Sequence, residues 1–203
     1  MRVLLIRHGQ TIWNSEYRTQ GRTDIPLDEM GVRQAVCLAE RLFQEPVSAV
    51  YTSPLKRATE TAEAVAKLHG LSVIPANELI ERDFGAWEGK TLAELAAQYG
   101  DALDLWRDDP YACVPEGAED LYAVQARVEA FCGLLLCTHA PESTIVVVSH
   151  SVPLRVLLAQ LIGLPKESLH SIEIINAAYT EVWLEQCRNV LHVLNDTSHL
   201  RCL

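Results

Sequence analysis

No block of lysine and arginine occurs in the 203 residues, and acidic side chains outnumber basic ones by 27 to 17, for a formal charge of −10. A polyanion would be repelled by such a chain, so nucleic acid is excluded as an expected partner. Long apolar runs are missing too. The first apolar stretch, residues 3–6, is too short for the core of a secretion signal. No run approaches the roughly 18 apolar residues that a membrane span needs, so no membrane association is expected and the expected location is cytoplasmic. The six cysteines (Cys37, Cys113, Cys132, Cys137, Cys187, Cys202) show no C-x2-C pairing, so free thiols are expected rather than disulfides or a structural metal. Cys132, Cys137 and His139 are the one local cluster, and their spacings do not stack them on one helical face, which argues against zinc. Repeats, low-complexity tracts and linkers are also absent. A chain of this length without them is expected to form a single domain, 1–203.

Buried parallel strands read as near-continuous Val/Ile/Leu runs, and residues 2–6, 48–52, 71–74 and 144–149 fit that description. Between them, residues 30–44, 54–69 and 118–138 carry apolar side chains at three-and-four spacing, as amphipathic helices packed on a sheet do. Two alternating stretches, 179–184 and 190–194, separated by turn residues 186–189, predict a hairpin at the sheet edge. The expected fold class is α/β, a three-layer α/β/α sandwich with a mostly parallel sheet and an antiparallel edge strand. Residues 76–117, with Gly85, Gly89, Gly100, Pro110, Pro115 and Gly117, are the least regular part. They read as an excursion of loops and short helices over the active site, where specificity is often carried.

Chemistry sits at the ends of the predicted strands. The apolar run of LLIRHGQTIWN, residues 4–14, stops at Arg7, His8 and Gly9, and the run IVVVSH, residues 145–150, ends in His150. Ligands of open α/β sheets bind beyond the carboxyl ends of the strands, and neighbouring strands are about 4.8 Å apart, so adjacency would bring both imidazoles to one small ligand. A third strand end is followed by SPLKRATET, with Ser53 as an expected helix N-cap, Pro54 at the first helical position and Arg57 near the first turn. A cation there opposes the helix dipole unless an anion is bound nearby. Either arginine alone reads as an ordinary surface or carboxylate-paired side chain. Two guanidiniums and two imidazoles together suit a phosphoryl group. A metal is disfavoured, because neither histidine has an H-x-H or H-x-x-x-H partner and the arginines would repel a divalent ion; no metal and no cofactor are expected. One neutral imidazole can instead attack phosphorus, provided its other nitrogen is held by an acceptor. The leaving alkoxide then needs a proton, for which Glu81 is the candidate, with Asp83 and Glu88 not separable from it by pattern.

These residues resemble the histidine phosphatase superfamily, also called phosphoglycerate mutase-like. Arg7, His8, Gly9, Thr11, Trp13 and Asn14 match its R-H-G-x-T-x-W-N signature, and the likeness continues through Gln20-Gly21, Asp24, Pro26-Leu27, Gly31, Gln34-Ala35, SPLKRATETAE, the E-x-x-F-G-x-W-E-G stretch from Glu81 to Gly89, and VVSH. The resemblance implies that His8 is the phosphorylated nucleophile and that Arg7, Arg57 and His150 grip the phosphoryl oxygens. It further implies hydrogen bonds to substrate from Asn14, Gln20 and the backbone around Gly21, and a proton donor in Glu81. Some positions depart from the family's common pattern. Ser151 stands beside the phosphate where glycine is frequent, Arg22 replaces an aromatic and predicts a more basic pocket mouth, and PEGAE at 115–119 replaces P-G-G-E-S.

Mutases of this family carry a longer, basic central insertion. The corresponding stretch here, 95–122, is short and acidic, with Arg107 against seven carboxylates. The expected function is therefore hydrolysis of a small phosphorylated metabolite by a phosphatase of the small branch. α-Ribazole phosphate, phosphoserine and sugar phosphates all remain open as substrates. A cofactor-dependent mutase is the alternative, and a non-catalytic phosphate-binding module is a third reading. Whether the chain pairs as a homodimer is also open.

Overall fold

Six strands make one mixed sheet in the order β3–β2–β4–β1–β5–β6. They are β1 (Arg2–Arg7), β2 (Val47–Thr52), β3 (Val73–Pro75), β4 (Thr144–Ser149), β5 (Tyr179–Leu184) and β6 (Asn189–Asp196). β1, β2, β3 and β4 run parallel, β5 is antiparallel to β1, and β6 is antiparallel to β5. The chain is described in a computed structural model that covers every residue except Pro110 and Ala112, so the loop proline expected at 110 lies outside the described residues. Among the described residues six α-helices accompany the sheet: α1 (Ile12–Ser15), α2 (Glu29–Leu42), α3 (Lys56–Leu68), α4 (Leu92–Asp108), α5 (Leu121–Thr138) and α6 (Ser151–Ile162).

The period-2 pleat sorts the central strands onto two cores. Leu4, Ile6, Val50, Val146 and Val148 face α2 and α3, against Leu38, Leu42, Ala58, Ala62 and Val65. Val3, Leu5, Tyr51, Ile145 and Val147 face α5 and α6, against Val124, Val128, Phe131, Leu154 and Leu157. Covered on both faces, β4 has no place for a polar side and is buried at every position. The result is the expected three-layer α/β/α arrangement with an antiparallel hairpin at one edge.

Boundaries moved where local bonding overruled pattern. α3 begins at Lys56, not at residue 54, and its N-cap Leu55 makes no side-chain bond. Ser53 stands two residues before that cap: its N–H donates to the Val148 carbonyl, 3.0 Å away, extending the β2–β4 ladder one step, and its hydroxyl accepts from the His150 ring at 2.7 Å and, at the longer distance of 3.4 Å, from the Leu55 N–H. The strand expected at 71–74 is Val73–Pro75. α6 has no amphipathic stripe to read, since seven of its twelve residues are buried. α5 is long and apolar enough by composition to cross a membrane, although Gln125, Arg127 and Glu129 interrupt it. Its Val124, Val128, Phe131 and Leu135 stripe packs into the core.

Residues 76–117 contain two single 3-10 turns, Asn77–Leu79 and Gly85–Trp87, followed by α4. A Thr91–Glu94 capping box starts α4, and Gly100, at φ 24°, bends it. Phe84, Trp87, Leu95 and Leu103 form a small core of their own with Tyr99 and Trp106 packed on it.

Candidate active site

β1 and β4 are neighbours, and Arg7 pairs with Ser149, so the two strand ends are level. The His8 N–H continues the ladder to the Ser149 carbonyl at 3.0 Å, after which the chain turns away. Gly9 makes that turn, with its N–H on Thr61 Oγ1 at 3.0 Å. A Cβ on Gly9 would stand 2.6 Å from the Gly31 carbonyl oxygen, so no larger residue fits. The consequence is a pair of buried imidazoles, His8 and His150, with ring centroids 5.1 Å apart.

His8 Nδ1 lies 2.7 Å from the Gly9 carbonyl oxygen, which can only accept, so Nδ1 carries the hydrogen and Nε2 the lone pair. Burial, then Arg57 and Arg7, hold the His8 pKa well below its usual value despite the Gly9 bond. His150 is fixed in the other tautomer. Its Nδ1 accepts from Arg57 Nε at 3.2 Å, leaving Nε2–H to donate to Ser53 Oγ at 2.7 Å. Burial, Arg57 and His8 keep this ring neutral as well.

The Arg57 guanidinium is fully buried and mounted on main chain, donating through Nη2 to the Gly21 carbonyl at 2.8 Å and through Nη1 to the Thr23 carbonyl at 2.9 Å. Those carbonyls are held in turn by Glu88. Its carboxylate accepts from the N–H groups of Arg22 (2.8 Å), Thr23 (2.9 Å) and Phe84 (3.2 Å), and from the Thr23 hydroxyl. Burial alone would raise the Glu88 pKa, but these bonds outweigh it and hold the carboxyl below the usual range. Gly21 is packed so tightly that a Cβ would lie 1.7 Å from Glu88 Oε1.

A cavity of about 250 Å³ opens at the strand ends, and its wall includes Arg7, His8, Gln20, Glu81 and Ser151. Arg57 and His150 stand behind that wall. Arg7 donates through Nη1 to the Ile174 carbonyl at 2.7 Å, and burial lowers its pKa to about 10, with Glu81 opposing and Arg155 and Arg57 assisting. Glu81 is 6% exposed, and burial raises its pKa against the pull of the Arg82 N–H, Arg57 and Arg7. Geometry thus separates the three carboxylates that pattern could not. Glu81 shares the cavity with His8, Glu88 is saturated, and Asp83 accepts from the Gly85 N–H at 2.8 Å and faces Arg22 at 3.9 Å.

Asn14 closes a capping box on α1, and its Oδ1 also accepts from Asn176 at 3.2 Å. Gln20 donates to Thr11 Oγ1 at 2.5 Å and leaves its Oε1 buried without a partner. Ser151 is the first residue of α6 and lies on the wall. The more basic mouth expected from Arg22 is corrected: Arg22 is paired with Glu119 at 3.2 Å and with Asp83. The sequence reading missed Thr61, Asn176, Arg82 and Arg155. Thr61 was findable four residues after Arg57 on the same helical face. Asn176 was not, because it reaches the His8 carbonyl, 2.9 Å away, across 168 positions.

The neutral imidazoles give a pH prediction. Unfolded, each takes up a proton below about pH 6.5; folded, each resists it, so the unfolded state binds more protons and stability falls as pH drops below that value. The slope reaches about 1.4 kcal/mol per pH unit for each ring. Glu81, with its raised pKa, acts in the opposite direction. Urea midpoints at pH 7.5 and 5.5 should show the loss, and His150→Asn should remove part of it. An unchanged midpoint would show that the rings protonate freely.

Fold and site together define a class: an α/β protein holding an anion pocket of arginines around a neutral histidine at the carboxyl ends of parallel strands. The chain belongs to the histidine phosphatase superfamily, branch 1, which matches residues 3–197. Phosphoserine phosphatase 1 of Hydrogenobacter thermophilus is 36% identical over 200 residues, covering 98% of this chain and 94% of that protein. The "Probable phosphoglycerate mutase GpmB" of Proteus mirabilis is 34% identical over 212 residues, covering 98% and 95%. Among solved structures, a mycobacterial glucosyl-3-phosphoglycerate phosphatase in complex with VO3 superposes with a TM-score of 0.89 at 31% identity, covering 97% of this chain and 99% of that one.

Proposed function

We propose that the chain is a phosphomonoesterase of small phosphorylated metabolites that works through a phosphohistidine on His8. The observation that carries this is the state of His8: neutral, Nδ1–H locked on Gly9, and Nε2 free beside a cavity that also contains Arg7 and Glu81. His8 Nε2 forms a bond to phosphorus as the ester P–O bond breaks, and Glu81, whose pKa burial raises, is the group that gives a proton to the departing alkoxide. Glu81 then takes a proton from the water that attacks the phosphohistidine, which releases phosphate and restores both groups. Arg7 and Arg57 balance the charge that spreads over the phosphoryl oxygens. Arg57 also holds His150 in place through Nε.

Hydrolysis is favoured over phosphoryl return to a bound alcohol by the stretch 95–122, whose one basic side chain does not reach the cavity. Its Arg107 pairs with Asp104 on the surface at 3.4 Å. We place the enzyme in the cytoplasm, where its six unpaired cysteines would stay reduced.

The test is phosphate release from a panel of small phosphomonoesters, with chelator and with vanadate. Activity should survive EDTA, because guanidiniums supply the positive charge, and millimolar vanadate should stop it by filling the phosphoryl position. Loss in EDTA that a divalent ion restores, or indifference to vanadate, would count against this site.

A further inference from the structure

The peptide that joins Gly9 to Gln10 is held at both ends by side chains from other parts of the chain. Its carbonyl oxygen, on Gly9, accepts from His8 Nδ1 at 2.7 Å and from Asn176 Nδ2 at the longer distance of 3.4 Å. Its N–H, on Gln10, donates to Gln34 Oε1 at 2.8 Å. Gln34 lies on α2 about one turn beyond Gly31, where the helix packs so closely on this segment that a Cβ on Gly31 would stand 2.0 Å from the Gln10 carbonyl oxygen. Neither Gln34 nor Asn176 lines the cavity, so neither is placed to touch a substrate.

The orientation of this peptide decides which nitrogen of His8 attacks. A neutral imidazole has one N–H and one lone pair. With the Gly9 carbonyl facing Nδ1, the hydrogen sits on Nδ1 and the lone pair on Nε2. Turned over, the same peptide would present the Gln10 N–H to Nδ1, which would then have to accept, and the hydrogen would sit on Nε2, where it blocks attack on phosphorus. Glycine at position 9 sets no Cβ against either orientation. The preceding peptide is fixed already, by the Gly9 N–H on Thr61 Oγ1 and by the His8 carbonyl, which accepts from Asn176 Nδ2 at 2.9 Å and from the Ala177 N–H at 3.2 Å. Turning is thus confined to the Gly9–Gln10 unit, and what selects its orientation is what holds its two ends.

We propose that Gln34 and Asn176 are positioning residues for phosphoryl transfer: they lock the Gly9–Gln10 peptide in the orientation that keeps His8 in its Nδ1–H tautomer, and so make Nε2 the nucleophile. Gln34 is the stronger half of the lock, since its bond is the shorter and the Gln10 N–H has no second acceptor among the described residues. The effect on turnover rests on the phosphatase reading above; the tautomer can be read without turnover. As the phosphohistidine forms, the ring gains positive charge and the same Gly9 carbonyl accepts from a charged donor, so the lock acts through the chemical step as well.

Two-bond proton–nitrogen correlation spectra of ¹⁵N-labelled protein report the tautomer, with His8→Ala to assign the signal. Wild-type His8 should appear as Nδ1–H near neutral pH. Gln34→Leu, which removes the acceptor, should populate the Nε2–H form and lower kcat on the order of tenfold, the shift that the loss of one hydrogen bond brings. KM should change little, because Arg7 and Arg57 keep their contacts. Gln34→Glu keeps an oxygen at the same reach and should recover most of kcat and the Nδ1–H signal. Asn176→Leu should act in the same direction as Gln34→Leu but more weakly, and it stands in if Gln34→Leu does not fold. A lower kcat with His8 still wholly Nδ1–H would overturn the proposal by making both residues merely structural. So would a rise in KM alone, no recovery in Gln34→Glu, or a wild-type His8 found as Nε2–H. If the wild-type protein hydrolyses no phosphomonoester, the phosphatase reading falls, and the spectra still decide whether these two side chains set the tautomer.

Discussion

His8→Ala is expected to lose turnover by about 10⁴-fold or more and, in the same variant, all acid-labile phosphorylation. The two losses belong together because one atom, Nε2, both displaces the alkoxide and carries the phosphoryl group until water arrives. Removing a nucleophile typically costs several orders of magnitude, and what remains comes from the binding groups left in place. The neighbouring ring cannot substitute. His150 Nε2 points to Ser53 Oγ and its Nδ1 to Arg57, so neither nitrogen has a free lone pair toward the cavity. His150→Ala should accordingly reduce both rate and label without moving the label elsewhere. Brief incubation with radiolabelled substrate, alkaline quench and peptide mapping would decide. Label persisting on His8→Ala would name another nucleophile.

Glu81→Gln is expected to cripple hydrolysis of an alkyl phosphate by about 10²–10⁴-fold while sparing much of the activity on para-nitrophenyl phosphate. An alkoxide is too basic to depart unprotonated, whereas the nitrophenolate needs no proton. The contrast follows from the basicity of the leaving oxygen, and burial raises the pKa of this carboxyl against the arginines around it, which favours the protonated form a general acid needs. Asp83→Asn should show no such selectivity, since Asp83 is tied to the Gly85 N–H at the rim. Glu88→Gln should depress both substrates alike, because it loosens the loop on which Arg57 is mounted. Equal losses on both substrates for Glu81→Gln would move the acid role elsewhere, and so would a selective loss for Asp83→Asn.

Most of what places the site was legible because it is written in strand pattern and strand ends. IVVVSH and LLIRHG announce two buried parallel strands that stop at histidines, and a sheet can bring such ends level only if the strands are neighbours, as β1 and β4 are. Two kinds of information were not legible. One is tautomer and tilt: that His8 turns Nδ1 to its own neighbour's carbonyl while His150 turns both nitrogens to protein depends on rotamers that no spacing encodes. The other is long-range mounting. Asn176 and Ala177 close over the end of β1 from the far side of the chain, with Ala177 at φ 55°, and nothing in INAAYT marks a residue for that conformation. Ser53 departs from its pattern for a related reason: serine before proline after a strand fits a cap, but the ladder runs on through its N–H and the His150 ring engages its hydroxyl, so α3 starts only at Lys56.

The route from Glu88 through the main chain of residues 21–23 to Arg57, and from Arg57 to His150 and Ser53, sets a rule for anyone re-engineering the enzyme. The segment that shapes the pocket and the segment that mounts Arg57 meet in one carboxylate. Grafting a foreign stretch over 76–117 to change substrate would thus also re-aim Arg57, unless the graft brings a glutamate at 88 and the host keeps glycine at 21. Libraries that vary Leu92, Leu95, Leu103 and Trp106 and leave those two positions untouched should remain rich in active clones.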